Sequence, residues 1–335
     1  MNESVSVVIT CYNLEQYIHE AVRSVLAQDY SGDVQIVVVD DCSTDRSRSI
    51  LEATSGIELV FRELNGGVMN AMISGLRSAK HDVVFFLDGD DSWHASKLTE
   101  CMATFGGDVK LCTHDLWYMD SNARPISRES RVSEKLSPTP AEDRGEIIGR
   151  AILRHDDYVW LGSAFGVRRS SAKVEDFISF CESQSYLDTC YQDWPLAVWA
   201  ALVRGGRMTY VDRKLFGYRL HASNYSGSAQ TLEKMRRNLR KSLDTMRLIE
   251  AMMDHHGAIA GDRAAARHVR MHYELLLAST QDSRWTLVRA ALRNRGAFAR
   301  NREGLKAIVK AGLCLCLGPR NAHGIIEYAK RSSTR

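Results

Sequence analysis

Nowhere in the 335 residues do about 18 uncharged apolar residues run together, so no segment reads as a membrane-spanning helix. The opening MNESVSVVITCYN lacks a basic stretch followed by an apolar one, which argues against a secretory leader. Proline is scarce: of five residues, three (Pro125, Pro138, Pro140) lie among the charges of residues 120 to 145, a stretch that reads as a long flexible connection suited to a lid. The eight cysteines form no CxxC pair, which excludes the usual zinc and thioredoxin-like spacings, and Cys314 and Cys316 read as apolar packing. A GxGxxG turn and a Walker loop are also missing, and there is no internal repeat or low-complexity tract. With 44% hydrophobic and 25% charged residues the chain is long and apolar enough for one large domain plus an extension. A cytoplasmic protein without membrane spans is expected.

What is present is unevenly charged. Residues 227 to 335 carry 21 Lys and Arg against 9 Asp and Glu, whereas residues 1 to 226 carry 23 against 32. Two segments with different tasks follow from that asymmetry.

The first 90 residues alternate β-branched runs with helix-period segments, the signature of a parallel sheet flanked by helices. Residues 5 to 10, 34 to 40 and 82 to 87 read as buried strands. Between the first two, Tyr17, Ile18, Ala21, Val22, Val25 and Leu26 fall at helical spacing, and Asp45 is placed to cap the next helix. This is a nucleotide-binding type of α/β arrangement.

The strongest local signal is Phe85-Phe86-Leu87-Asp88-Gly89-Asp90-Asp91, three carboxylates following directly on an apolar strand. In open α/β sheets ligands bind beyond the carboxyl ends of strands. Acids packed this closely repel one another unless a cation neutralises them, and an oxygen-only set favours magnesium or manganese held together with substrate phosphates. The competing reading is an acidic turn capping the next helix. A second pair, Asp40-Asp41, also ends a strand, where a carboxylate can accept hydrogen bonds from a nucleobase or ribose or merely cap a helix.

Val5 to Asn13 (VSVVITCYN), Val39 to Asp45 (VDDCSTD), Asn65-Gly66-Gly67 and Asp88 to Asp91 (DGDD) occur in an order and spacing that resembles the family 2 glycosyltransferases. The resemblance covers roughly residues 4 to 226. It implies an α/β GT-A fold, a Rossmann-like, mostly parallel sheet flanked by helices, with an α-helical C-terminal extension. It further implies a catalytic domain over 1 to 226, a basic helical region over 227 to 335, and an inverting transfer from a nucleoside-diphosphate sugar, UDP-sugars first, to a hydroxyl acceptor. By the same resemblance Thr10 and Tyr12 line the base pocket and Asp41 hydrogen-bonds the base. Asp88 and Asp90, with Asp91 beside them, grip a divalent metal (manganese or magnesium) and the donor diphosphate.

An inverting transfer also needs a base for the acceptor proton. Tyr191-Gln192-Asp193-Trp194 resembles the family's acidic-aromatic motif, which makes Asp193 that base at a helix N-terminus, where a carboxylate is stabilised; a plain helix cap is the alternative. Tyr218 to Ser226 resembles the closing segment in which the histidine, His221, contacts metal or diphosphate, and Arg219 is placed to pair with phosphate. Trp160 and Trp194 are the candidate acceptor contacts, since an indole face suits a sugar ring. Two departures stand out. Where relatives have Arg-Asn after the glycine loop this chain has Met72-Ile73, and Ala95 replaces the usual proline.

Family habit points to a saccharide or lipid-linked saccharide acceptor in cell-surface polysaccharide or glycolipid synthesis. A nucleotidyltransferase, a nucleotide-sugar hydrolase and a silent nucleotide-sugar-binding module are the rivals. Past residue 227, Leu232, Met235, Leu239, Leu243, Met246 and Met253 form an apolar stripe on a basic helix. That segment suits either peripheral contact with the inner face of a membrane or packing as a helical subdomain. Nucleic-acid binding is not expected, because no aromatic residues interleave the basic ones.

Overall fold

A computed structural model describes residues 3–106, 108–128, 162–221 and 231–281, together with the isolated positions 145, 152, 153, 285, 286, 289, 290, 312 and 316. The chain divides into two compact units, Met1–Asn224 with Met252–Ile259, and Tyr225–Ala251 with Ala260–Arg335.

The first unit is built on an eight-stranded sheet in the order β3-β2-β1-β4-β7-β6-β8-β5. Strands β1 (Val5–Cys11), β2 (Val34–Asp40), β3 (Glu58–Phe61) and β4 (Val83–Asp88) are mutually parallel. Val5, Val7, Val8 and Ile9 of β1 are fully buried, as the central strand of a sheet covered on both faces must be. Each such side chain contributes about 1.5–3 kcal/mol. Helix α1 (Ile18–Leu26) buries Ile18, Ala21, Val22 and Val25, while Leu26 at the end of the expected stripe is exposed. Two more helices follow, α2 (Ser47–Glu52) and α3 (Gly67–Ser78).

The chain runs β1, β2, β3 outward on one side, then returns to place β4 on the other side of β1. That reversal opens a crevice outside the carboxyl ends of β1 and β4, where ligands bind in folds of this type. Thr10 pairs in register with both Val39 and Asp88, so the ends of β1, β2 and β4 lie side by side.

The remaining strands hold the acidic turn from the far side. Strand β5 (Ser92–Trp93) pairs with β8 (Arg207–Arg219), which runs parallel to the long β6 (Val109–Met119), and β7 (Gly166–Arg168) joins β6 to β4. Residues 88 to 91 are thus clamped between a strand in the sheet centre and one at its edge. Four short helices complete the described part of the unit: α4 (Lys97–Met102), α5 (Arg169–Ala172), α6 (Val174–Glu182) and α7 (Asp193–Val198), the last continuing into a π-helical turn over Trp199–Val203.

Helix α8 (Leu232–His255) contributes to both units, and α9 (Ala260–Ser279) lies in the second. In the second unit Glu250 of α8 binds Arg267 at 2.8 Å and Arg270 at 2.5 Å, both from α9. The apolar stripe expected on α8 is only half of what the helix buries. Leu243, Met246 and Met253 are buried, but so are Leu248, Ile249 and Met252, which lie off the stripe, and Lys241 is 8% exposed. Among the described residues no helix is long and apolar enough to cross a membrane. The expected connection over 120 to 145 begins with a turn at Asp120–Arg124, and its prolines 138 and 140 lie outside the described residues.

Candidate active site

The two loops leaving β1 and β2 are stitched together by side chains of the Ser43-Thr44-Asp45 run. Asn13 N–H donates to Ser43 Oγ at 2.9 Å, Asn13 Oδ1 accepts from Thr44 N–H at 2.8 Å, and Asp45 Oδ2 accepts from Glu15 N–H at 3.0 Å. Asp45 Oδ1 also accepts from Ser47 N–H at 2.9 Å, a local turn at the start of α2. Below them Cys11 is buried, and that burial pushes its thiol up to about 12, which makes it a poor nucleophile.

Asp41 is 2% exposed; its Oδ1 accepts from the Gly66 N–H at 3.0 Å and forms an ion pair with Arg62 Nε at 2.8 Å, without the alignment of a hydrogen bond. Its neighbour Asp40 uses Oδ2 to accept from Ser43 N–H and leaves Oδ1 buried without a partner. Thr10 is nearly buried, whereas Tyr12, just past the end of β1, is 45% exposed. Met72 and Ile73 face the interior and bring no polar group to the crevice.

At the acidic turn the three carboxylates have separate surroundings. Asp88 accepts from Thr10 Oγ1 at 3.5 Å and, more closely, from Gln192 Nε2. Asp90 Oδ2 lies 3.0 Å from His221 Nε2. The His221 ring also packs on Tyr17, with centroids 4.7 Å apart. Asp91 turns inward at 2% exposure, its Oδ2 accepting from Ser163 Oγ at 2.6 Å and its Oδ1 from Arg219 N–H at 3.0 Å. Burial, reinforced by the charges of Asp90 and Asp88, raises the Asp91 carboxyl well above its usual range. Each oxygen accepts one hydrogen bond, and through them Asp91 braces the turn.

Arg219, expected to pair with phosphate, is engaged within the protein. Its side chain is 1% exposed, with Nη2 2.9 Å from Glu20 Oε2 and Nε donating to the Asp90 carbonyl at 2.7 Å. This guanidinium holds the acidic turn against α1 and does not reach out to a phosphate.

Asp193 opens α7, its Oδ1 accepting from Trp194 N–H at 2.8 Å. Gly162, in the left-handed region at φ +58°, lies beside both it and Asp88. A Cβ on that glycine would lie 3.0 Å from Asp88 Oδ2 and 3.7 Å from Asp193 Oδ2, so the two carboxylates flank one bare backbone position. Trp194, expected to meet an acceptor, is 4% exposed and donates its indole N–H to the Ile152 carbonyl at 2.7 Å, which makes it a packing anchor. Trp160 lies outside the described residues.

Among the described residues no three His, Cys, Asp or Glu side chains form a ready-made metal cluster. The donor set nevertheless fits a hard divalent ion. Asp88 and Asp90 offer carboxylates, His221 a nitrogen, and Gln192 places a buried, unpartnered Oε1 on the amide that holds Asp88. Ions of this kind are commonly held by one or two carboxylates and completed by substrate phosphates, so a three-residue cage is not required.

Sequence reasoning passed over Gln192, Ser163, Gly162, Arg62 and Lys97. The first three lay inside or beside motifs read for another residue. For Arg62 and Lys97 the partners are remote in sequence, and no local signal announces them.

The family model of the glycosyl transferase family 2 matches residues 6–173, half of the chain. An uncharacterized glycosyltransferase of Nostoc sp. is 38% identical over 150 residues, 43% of this chain and 45% of that one. The UDP-Glc:α-D-GlcNAc-diphosphoundecaprenol β-1,3-glucosyltransferase of Escherichia coli is 31% identical over 136 residues, 40% of this chain and 51% of the relative. The chain thus spans about half the length of these relatives. Among solved structures, residues 1–349 of Staphylococcus aureus TarS in complex with UDP-GlcNAc superpose with a TM-score of 0.56 at 18% identity, covering 95% of this chain and 92% of that one. The fold is therefore that of the GT-A glycosyltransferases, and the chain belongs to glycosyl transferase family 2.

Proposed function

We propose that the chain is a metal-dependent, inverting glycosyltransferase that moves a sugar from a UDP-sugar to a hydroxyl of a saccharide or lipid-linked saccharide, in cell-surface polysaccharide or glycolipid synthesis at the cytoplasmic face of the membrane. The observation that carries this reading is that Asp88 and Asp193 both bring a carboxylate oxygen to the bare Cβ position of Gly162, at the carboxyl edge of the sheet. One carboxylate belongs to the diphosphate side and the other to the acceptor side. The glycine keeps free the position that a side chain would take beside them.

In this reading Asp88, Asp90 and His221 hold the metal, and Asp41, with Thr10 and Tyr12 nearby, receives the base. Asp193 takes the proton of the acceptor hydroxyl as that oxygen attacks the anomeric carbon. When bound, a divalent cation stabilises the charge gathering on the departing diphosphate. Support for a UDP donor comes from the E. coli relative, named for UDP-glucose, and from TarS, solved with UDP-GlcNAc. The same E. coli relative is named for a diphosphoundecaprenol-linked acceptor.

Thermal stabilisation by UDP, GDP, dTDP and CMP, each with manganese, magnesium or EDTA, tests the proposal. A ligand at about a hundred times its Kd stabilises the fold by about 2.7 kcal/mol. UDP with metal is expected to raise Tm, Asp90→Ala to abolish the shift, and Asp193→Asn to keep it while ending transfer. No shift with any nucleotide in a folded sample overturns the donor reading.

A further inference from the structure

We infer that Arg62 is a positioning residue for donor recognition: it fixes Asp41 so that one carboxylate oxygen faces the crevice as an acceptor for a nucleobase N–H. The inference rests on the proposed placement of the base at Asp41 and adds the device that makes that carboxylate selective.

Arg62 follows β3, where its backbone N–H donates to the Asp40 carbonyl at 3.0 Å, so its own register is set by the end of β2. The guanidinium is then fixed on three sides. Nε lies 2.8 Å from Asp41 Oδ1, and Nη1 donates to the Asn70 carbonyl at 2.9 Å and to Ser74 Oγ at 2.8 Å, both on α3. Nη2 crosses Gly66 at the place where any other residue would carry its Cβ. A planar, always-charged fork held this way has little freedom to follow a moving carboxylate.

The consequence falls on Asp41. The Gly66 N–H and Arg62 both reach the same oxygen, Oδ1, which holds that oxygen in place. Oδ2 receives neither. A 3%-exposed side chain therefore presents a single acceptor oxygen in a fixed direction. An ionised carboxylate accepts and cannot donate, so it favours a base edge that carries a ring N–H, as uracil does at N3. It discriminates against an edge where that proton is replaced, because a buried charged acceptor is then left unpaired.

The test is a double-mutant cycle on the full chain, reading the Kd of UDP and of N3-methyluridine diphosphate with manganese present. The wild type is expected to prefer UDP by at least about tenfold, and Arg62→Met to lose most of that preference. In the Asp41→Asn background, Arg62→Met should change UDP binding by less than about twofold, because its effect runs through a carboxylate already removed. Arg62→Lys, which keeps the charge without the fork, should fall between and carries the same cycle if Arg62→Met does not fold. Equal losses from Arg62→Met in both backgrounds, or an unchanged UDP preference, would show a merely structural arginine and overturn the inference. A wild type that binds UDP and its N3-methyl derivative alike also overturns it while leaving the donor reading intact. A wild type that binds neither removes both.

Discussion

Lys97 lies beneath the acidic turn with no exposure to solvent, its ammonium over the Trp93 ring at 3.8 Å and donating to the Ser163 carbonyl. Ser163 in turn donates to Asp91 and accepts from the Asp88 N–H at 3.0 Å, so one buried lysine supports the backbone that positions two acids. Burial pushes the Lys97 amine down to about 7, against smaller opposing effects of Cys101, Cys112 and Asp91. Because the folded value lies below the unfolded one, the unfolded chain binds more protons between about pH 7 and the ordinary lysine range. Stability is therefore expected to rise with pH across that window, by at most about 1.4 kcal/mol per pH unit. In Lys97→Met this contribution is gone. Denaturant midpoints of both proteins from pH 7 to 10 should diverge in favour of the wild type, and parallel curves would show that Lys97 does not titrate there. None of this was legible in the sequence, where Lys97 looks like any helix lysine, because its burial depends on Trp93, Cys112 and Ser163 closing around it. The acids themselves were legible: Asp41, Asp88 and Asp90 all end or follow runs too apolar to be anything but buried strands.

The elements divide along the same line. Strands β1, β2 and β4 were readable to within a residue, since a parallel strand buried on both faces is a continuous β-branched run. By contrast β6 and β8 carry polar residues such as Thr113, His114, Asp115 and Arg219 that are buried, so no periodicity marks them. The glycine loop gave half its meaning. Gly67, at φ +78°, is legible as part of a motif, but its close approach to the Asp188 carbonyl, which brings the start of α3 to the segment before Asp193, joins residues remote in sequence. Gly75 on α3 shows how tightly this layer is packed. A methyl there would run into Val8 of β1 and lie 3.3 Å from Val39 Cγ2 of β2. Replacing glycine with alanine within a helix gains about 1 kcal/mol of propensity, whereas overpacking a closed helix-sheet contact costs about 1–3 kcal/mol. Gly75→Ala is accordingly expected to lower stability. Adding Val8→Ala should recover part of the loss in a double-mutant cycle read by chemical denaturation; additive losses would mean the contact is not the cause.

At the scale of the whole chain, the charge asymmetry and the two compact units point to different chemistry in 227 to 335, and the question is how that segment could meet a membrane. An amphipathic helix binds lipid through an apolar face as well as through charge. Helix α8 has little apolar face to offer, since Leu243, Met246, Leu248, Ile249, Met252 and Met253 are all buried in the protein. Part of its charge is also neutralised internally, with Arg247 2.8 Å from Asp244, and Glu250 held by Arg267 and Arg270. What remains is the net positive charge of the segment, and near an anionic surface each basic residue contributes about 1 kcal/mol, an attraction that salt screens. The full chain is expected to sediment with phosphatidylglycerol vesicles at low ionic strength and to be released at about 1 M salt, where the Debye length falls to about 3 Å, while phosphatidylcholine vesicles leave it in solution. Absence of binding to anionic vesicles at low salt would remove peripheral contact from the picture. Binding that survives the salt would mean apolar insertion, and with it that the residues buried along α8 come out of the protein interior to meet lipid.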